Sequence, residues 1–124
     1  MIKGIGTDLV AIDRIEQALA KHGERFAKKI LSATECEQFF LQKNRANFLA
    51  KRFAAKEAAA KALGTGFVHG VGWKDIELSH DLYGKPELNL SNGALDRFNE
   101  VGAKQVLLSL SDDASLVIAY VVIE

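Results

Sequence analysis

Residues 2–10 alternate, with Ile2, Gly4, Gly6 and Asp8 on one side of the chain and Lys3, Ile5, Thr7 and Leu9 on the other, which predicts a first strand. The period then changes. Ile12, Ile15, Ala18 and Leu19 mark one face of a helix reaching about Lys21, and His22-Gly23 breaks it. Phe26 and Ile30, spaced i,i+4, predict a short second helix over 24–30. Ser32 with Glu35, and Thr34 with Glu37, each fit a capping box before a third helix through Phe39, Phe40 and Leu41. Residues 46–63, nearly half of them alanine, predict a long helix that stops at Gly64.

The second half is strand-rich. Residues 71–78 read as a strand, and residues 88–90 as another after the Gly84-Lys85-Pro86 turn. Ser91 is placed to cap a helix over 93–101. Residues 104–111 and 116–124 read as a hairpin turning at Asp112-Asp113-Ala114. Helices and strands segregate rather than alternate. The expected class is therefore α+β, with an antiparallel sheet packed against the long central helix. No linker, repeat or low-complexity tract divides the chain, so residues 1–124 read as a single domain.

Sixteen basic and sixteen acidic side chains cancel, so net charge points to no nucleic-acid partner. The lone Cys36 has no partner for an internal disulfide, which suits a reducing compartment, and it reads as a small buried hydrophobe. The longest apolar run, residues 116–123, is too short to span a bilayer, and no basic leader with an apolar core is present. A soluble cytoplasmic protein is expected. His22, His69 and His80 have no metal-ligand spacing and read as surface residues.

Two stretches carry candidate chemistry. Glu57 and Lys61 lie four residues apart and so share a helix face, as a bland ion pair would, just before Gly64-Thr65-Gly66. Asp8 is a lone carboxylate in an apolar run and must meet solvent, a cation or a helix N-terminus. Gly4 and Gly6, inside the same strand, weaken it unless something needs close backbone approach.

The N-terminal GIGTDLVAIDRI and the central FLAKRFAAKEAAAKALGTG (residues 48–66) resemble the two signature regions of the holo-acyl-carrier-protein synthases, the short 4'-phosphopantetheinyl transferases, in order and spacing. Trp73-Lys74-Asp75-Ile76-Glu77, Gly84-Lys85-Pro86 and Ser109-Leu110-Ser111 extend the resemblance over the whole chain. It implies that fold, and transfer of the phosphopantetheine arm of coenzyme A to an acyl carrier protein serine, leaving 3',5'-ADP, in fatty acid biosynthesis. Asp8 and Glu57 match the family's Mg²⁺ ligands, and Mg²⁺ takes hard oxygen donors while keeping waters. By the same resemblance Asp8, Glu57 and Lys61 are catalytic, and Arg52, Lys61, Gly64, Thr65 and Gly66 bind coenzyme A, Arg52 at its 3'-phosphate.

The implied carrier is a small acidic protein. Residues 12–30 hold five basic side chains (Arg14, Lys21, Arg25, Lys28, Lys29) against Asp13, Glu16 and Glu24, with Phe26 as an apolar anchor among them. An ordinary solvated surface, with Phe26 in the core, fits the same residues. Lys51 and Lys56 read equally as phosphate contacts or as a solvated basic face. The family's homotrimer, with active sites between subunits, agrees with the two-faced apolar run 116–123, as does a simple core strand. One departure stands out: Leu107 occupies the position where many relatives carry a histidine near the substrate phosphates. That leaves the general base unassigned, and keeps open a weakened module that only binds coenzyme A or a carrier, or an oligomeric scaffold.

Overall fold

The computed structural model describes all 124 residues. Strand β1 (Gly4–Ala11) leads into helices α1 (Ile12–His22), α2 (Glu24–Ile30), α3 (Ala33–Phe40) and α4 (Arg45–Leu63). A single 3-10 turn (Trp73–Asp75) precedes β2 (Ile76–His80), β3 (Pro86–Leu90), helix α5 (Asn92–Glu100), β4 (Val106–Asp112) and β5 (Leu116–Ile123). Thirteen of the nineteen residues of α4 are buried, and neighbours surround this helix on most sides. Small side chains make that possible: Ala54, Ala55, Ala58 and Ala60 are wholly inaccessible. Asn44 caps its start by accepting the Asn47 N–H, and Gly64, at φ 79°, ends it.

Two antiparallel sheets form. In the three-stranded one, β5 lies between β1 and β4, with Gly4 opposite Ile123, Asp8 opposite Ala119 and Val106 opposite Ile123. The other is the separate β2–β3 hairpin. Val10, Val117, Ala119, Val121 and Ile123 form the inner, buried side of the larger sheet. Its outer side carries Ile5, Leu9, Leu107, Leu116, Ile118 and Tyr120, all substantially exposed. No helix is long and apolar enough to cross a membrane.

The α+β class and every helix agree with the pattern read from the chain, to within two residues at each end. Strand β1 begins at Gly4, so Ile2 and Lys3 lie outside it. Ser32, not Thr34, starts α3, and both halves of its capping box with Glu35 are made. Residues 71–75 are not strand. The Gly72 N–H donates to Asp75 Oδ2 and turns the chain, while Trp73 stacks between Phe53 and Phe67 with centroids 5.3 and 3.8 Å away. Ser91 occupies the cap position of α5 without capping it; its hydroxyl contacts the Asp75 carbonyl at 3.4 Å. The β4–β5 turn falls at residues 113–115, where Asp113 Oδ1 accepts the N–H groups of Ser115 and Leu116.

Candidate functional site

The geometry begins with two glycines. A Cβ added at Gly4 would stand 2.0 Å from the Ala62 carbonyl oxygen, and one at Gly6 would stand 1.9 Å from that of Ala58. Strand β1 therefore rests directly on the alanine stripe of α4, with no side chain between the backbones. Two residues of strand advance slightly farther than four of helix. The next inward position, Asp8, thus comes level with the turn that carries Glu57.

Lys61 reaches back across this seam. Its ammonium donates to the Thr7 carbonyl at 2.9 Å and to Asp8 Oδ1 at 3.3 Å. Asp8 Oδ2 is buried and has no hydrogen-bond partner. Burial, and after it the neighbouring charge of Asp8, raises the Glu57 carboxyl above the ordinary carboxylate range, against an opposing pull from Lys61. Two converging carboxylates with one orphaned oxygen form a donor set that fits a hard divalent cation such as Mg²⁺. No cluster of three or more His, Cys, Asp and Glu side chains exists, so further ligands would come from water and substrate phosphate. The helix-surface pair that the i,i+4 spacing allows does not form: Lys61 pairs with Asp8 on the strand and makes no salt bridge with Glu57.

The other expected site residues lie around this centre. Gly64, Thr65 and Gly66 follow Lys61 at the end of α4. The Gly64 N–H donates to the Lys61 carbonyl and the Gly66 N–H to that of Ala60, so both glycine amides serve the helix cap. Thr65 lines a polar cleft of about 750 Å³ with His69, Asp96 and Arg97. Arg52, five residues before Glu57, is turned about 140° away around the helix axis and is not gathered with the carboxylates within one chain. It is 6% exposed, its guanidinium lies 3.6 Å from the Phe48 ring centroid, and its Nε has no partner. Burial draws its pKa down to about 10, partly offset by Glu35, so it stays charged at neutral pH. It lines a cleft of about 610 Å³ with Lys51, Asn44, Asn47, Ser79 and His80. Burial, reinforced by the charges of Arg52 and Lys51, lowers the pKa of His80. The walls of this cleft favour an anion.

On the opposite edge, Gly23 (φ 63°) separates α1 from α2, so the basic side chains do not form one continuous stripe. Arg25, Phe26 and Lys29 instead converge with Ala18 and His22 on a cleft of about 370 Å³. Phe26 both lines this cleft and packs on the core. Lys28 turns aside to Glu24 at 3.8 Å, while Arg14 and Lys21 are exposed. His22, His69 and His80 are exposed, as expected, and Leu107 stands on the outer sheet face.

Sequence reasoning missed one cluster. Lys56 is fully buried, not solvated, and its ammonium donates to the Ile30 carbonyl, Glu35 Oε1 and the Trp73 carbonyl at 2.7, 2.6 and 3.1 Å. Glu35 was legible only as a capping residue. Its second oxygen accepts the Leu78 N–H at 3.0 Å, and Ser32 Oγ donates to Glu77 Oε2 at 2.6 Å. No local signal could announce partners 17 to 45 residues away.

A sequence profile described as the 4'-phosphopantetheinyl transferase superfamily matches residues 4–121. The holo-[acyl-carrier-protein] synthase of Vibrio cholerae is 49% identical over 124 residues, covering 100% of this chain and 98% of that protein. The crystal structure of the synthase from Neisseria meningitidis superposes with a TM-score of 0.93 at 46% identity, over 100% of this chain and 99% of that one. The Helicobacter pylori enzyme, solved in complex with coenzyme A, gives a TM-score of 0.83 at 32% identity, over 97% and 99% of the two chains. Likeness of this extent, on a fold that brings Asp8, Glu57 and Lys61 together, means that the chain belongs to the holo-acyl-carrier-protein synthase family of the 4'-phosphopantetheinyl transferase superfamily.

Proposed function

We propose that this protein transfers the 4'-phosphopantetheine arm of coenzyme A to a serine of an apo acyl carrier protein, releasing 3',5'-ADP, in fatty acid biosynthesis. The observation that carries the reading is the orphaned Asp8 Oδ2 buried beside Glu57, the one place in the chain where a hard cation satisfies an otherwise unmet group.

Asp8 and Glu57 would hold Mg²⁺. When bound, the ion neutralises the pyrophosphate and steadies the leaving phosphate. Lys61, half-exposed on the same edge, supplies a positive charge to the same phosphates once a substrate competes for its ammonium. In the transfer the serine oxygen forms the new P–O bond and the bond from phosphorus to the 3',5'-ADP oxygen breaks. With Leu107 in place of the relatives' histidine, and Glu57 engaged as a ligand, the hydroxyl proton passes to solvent water. The Arg52 cleft is suited to the 3'-phosphate end of coenzyme A: it presents a buried guanidinium with an unpartnered nitrogen, flanked by Lys51 and His80.

The cleft of Arg25, Phe26 and Lys29 fits an acidic carrier helix, with an apolar contact inside a basic rim. The exposed apolar sheet face beside the site supports assembly into a homotrimer; Ile5, Thr7, Lys61 and Tyr120 line a small pocket at the border between the two. The cytoplasm, where coenzyme A and carriers meet and Cys36 stays reduced, is the matching location. Incubation with a panel of apo carriers, coenzyme A and Mg²⁺, followed by mass spectrometry, tests the reading. A phosphopantetheinyl mass gain on a carrier is expected. Coenzyme A binding with no gain on any carrier would leave only a binding module.

A further inference from the structure

One buried ion pair stands between the basic helix α2 and the carboxylate helix α4, and the mechanism makes no use of it. The three protons of the Lys56 ammonium are all committed: to the Ile30 carbonyl at the last residue of α2, to Glu35 at the start of α3, and to the Trp73 carbonyl. Glu35 in turn takes the N–H of Ser32 with one oxygen and that of Leu78, on β2, with the other. Both side chains are essentially inaccessible.

Stability alone does not account for such a pair. A buried ion pair is often no more stabilising than well-packed apolar side chains of the same volume, because desolvation offsets the attraction. What the pair does provide is a fixed geometry. Ile30 follows Lys29 directly, and Lys29 shares its cleft with Arg25 and Phe26. Lys56 precedes Glu57 directly. A single side chain therefore sets where the basic face of α2 stands relative to the Glu57 carboxylate. Helix α2 has only seven residues, too few to hold its place by its own hydrogen bonds. The Trp73 branch acts likewise on the far side, because Trp73 stacks on Phe67, the residue after Gly66.

We propose that Lys56, held by Glu35, is a positioning residue for the transfer reaction, fixing the carrier-docking face of α2 against the catalytic end of α4. The proposal rests on α2 being the docking helix. Lys56→Met and Glu35→Gln, assayed at a temperature where circular dichroism shows each folded, should raise KM for the apo carrier about tenfold. KM for coenzyme A and kcat at saturating carrier should change by less than about threefold. Unchanged carrier KM in a folded variant, or an equal rise in both KM values, overturns it.

Amide hydrogen exchange on the unaltered protein gives a readout that needs neither activity nor a variant. Amides near the end of α2 should exchange as slowly as those of α4; exchange as a locally frayed segment overturns the pinning itself. Slow exchange in a protein that modifies no carrier would instead disprove the transferase reading and leave the pin intact.

Discussion

Gly6→Ala adds one methyl group where β1 rests on α4. The new Cβ would stand 1.9 Å from the Ala58 oxygen, and such contacts are essentially never under 3.0 Å, so the gap must open by about 1.1 Å. The obstacle is helix backbone, and no flexible side chain can swing aside. Overpacking of this kind costs about 1–3 kcal/mol, a fall in Tm of roughly 5–15 °C for a chain of this size. The catalytic effect is the sharper one. Asp8 lies two residues beyond Gly6 on the same face, so the displacement carries it away from Glu57. A 1 Å misplacement at a reacting centre costs up to about 10²-fold in rate. Gly102→Ala is the control. It strains a positive φ of 78° and meets only the end of the Lys3 side chain at 3.8 Å. It should lose about 1–2 kcal/mol with turnover intact. Urea unfolding and the mass-spectrometric transfer assay, run on both variants well below their Tm, separate the two effects. Gly6→Ala with parental turnover, or with a loss matched by Gly102→Ala, would refute the claim that this seam sets the site.

Asp8→Asn should remove transfer by at least about 10²-fold while the far-UV spectrum stays native; residual activity within a few-fold of the parent removes Asp8 from the metal. Glu57 has its carboxyl raised, so the metal-free fold keeps a proton that the unfolded chain has already lost. That contribution to stability is present below the ordinary carboxylate range and fades as pH rises through the raised value. Glu57→Gln should accordingly raise the metal-free Tm at pH 7 and abolish the Tm gain that Mg²⁺ with coenzyme A gives the parent; calorimetry across pH reads both. Arg25→Glu should raise carrier KM about tenfold and steepen with falling salt, leaving coenzyme A binding unchanged by titration calorimetry. Ile118→Lys places a charge on the outer sheet face, and light scattering should report monomers in place of the proposed trimers, with transfer lost if the sites span subunits.

The local layer of this structure was written in the chain. Alternation marked β1, the spacing of Ile12, Ile15 and Leu19 marked α1, and Ser32 with Glu35 marked the start of α3, because these signals act within a few residues. That Glu57 and Lys61 lie on one helix face followed from helical pitch alone. Resemblance to known signatures named Asp8 as their companion, while the glycines hinted at close approach without saying to what. Only the tertiary structure placed Gly6 on the Ala58 carbonyl and so carried Asp8, 49 positions earlier, to Glu57. It also overturned the reading of residues 71–75, where stacking of Trp73 on Phe67 and Phe53 outweighs a strand-like pattern. Lys56 shows the boundary most clearly. On paper it is one more lysine on a charged helix; in the fold it is wholly enclosed, because carbonyls and a carboxylate from distant elements meet its ammonium. Periodicity reports which way a side chain faces, but whether that direction holds water or another element depends on contacts between distant parts of the chain.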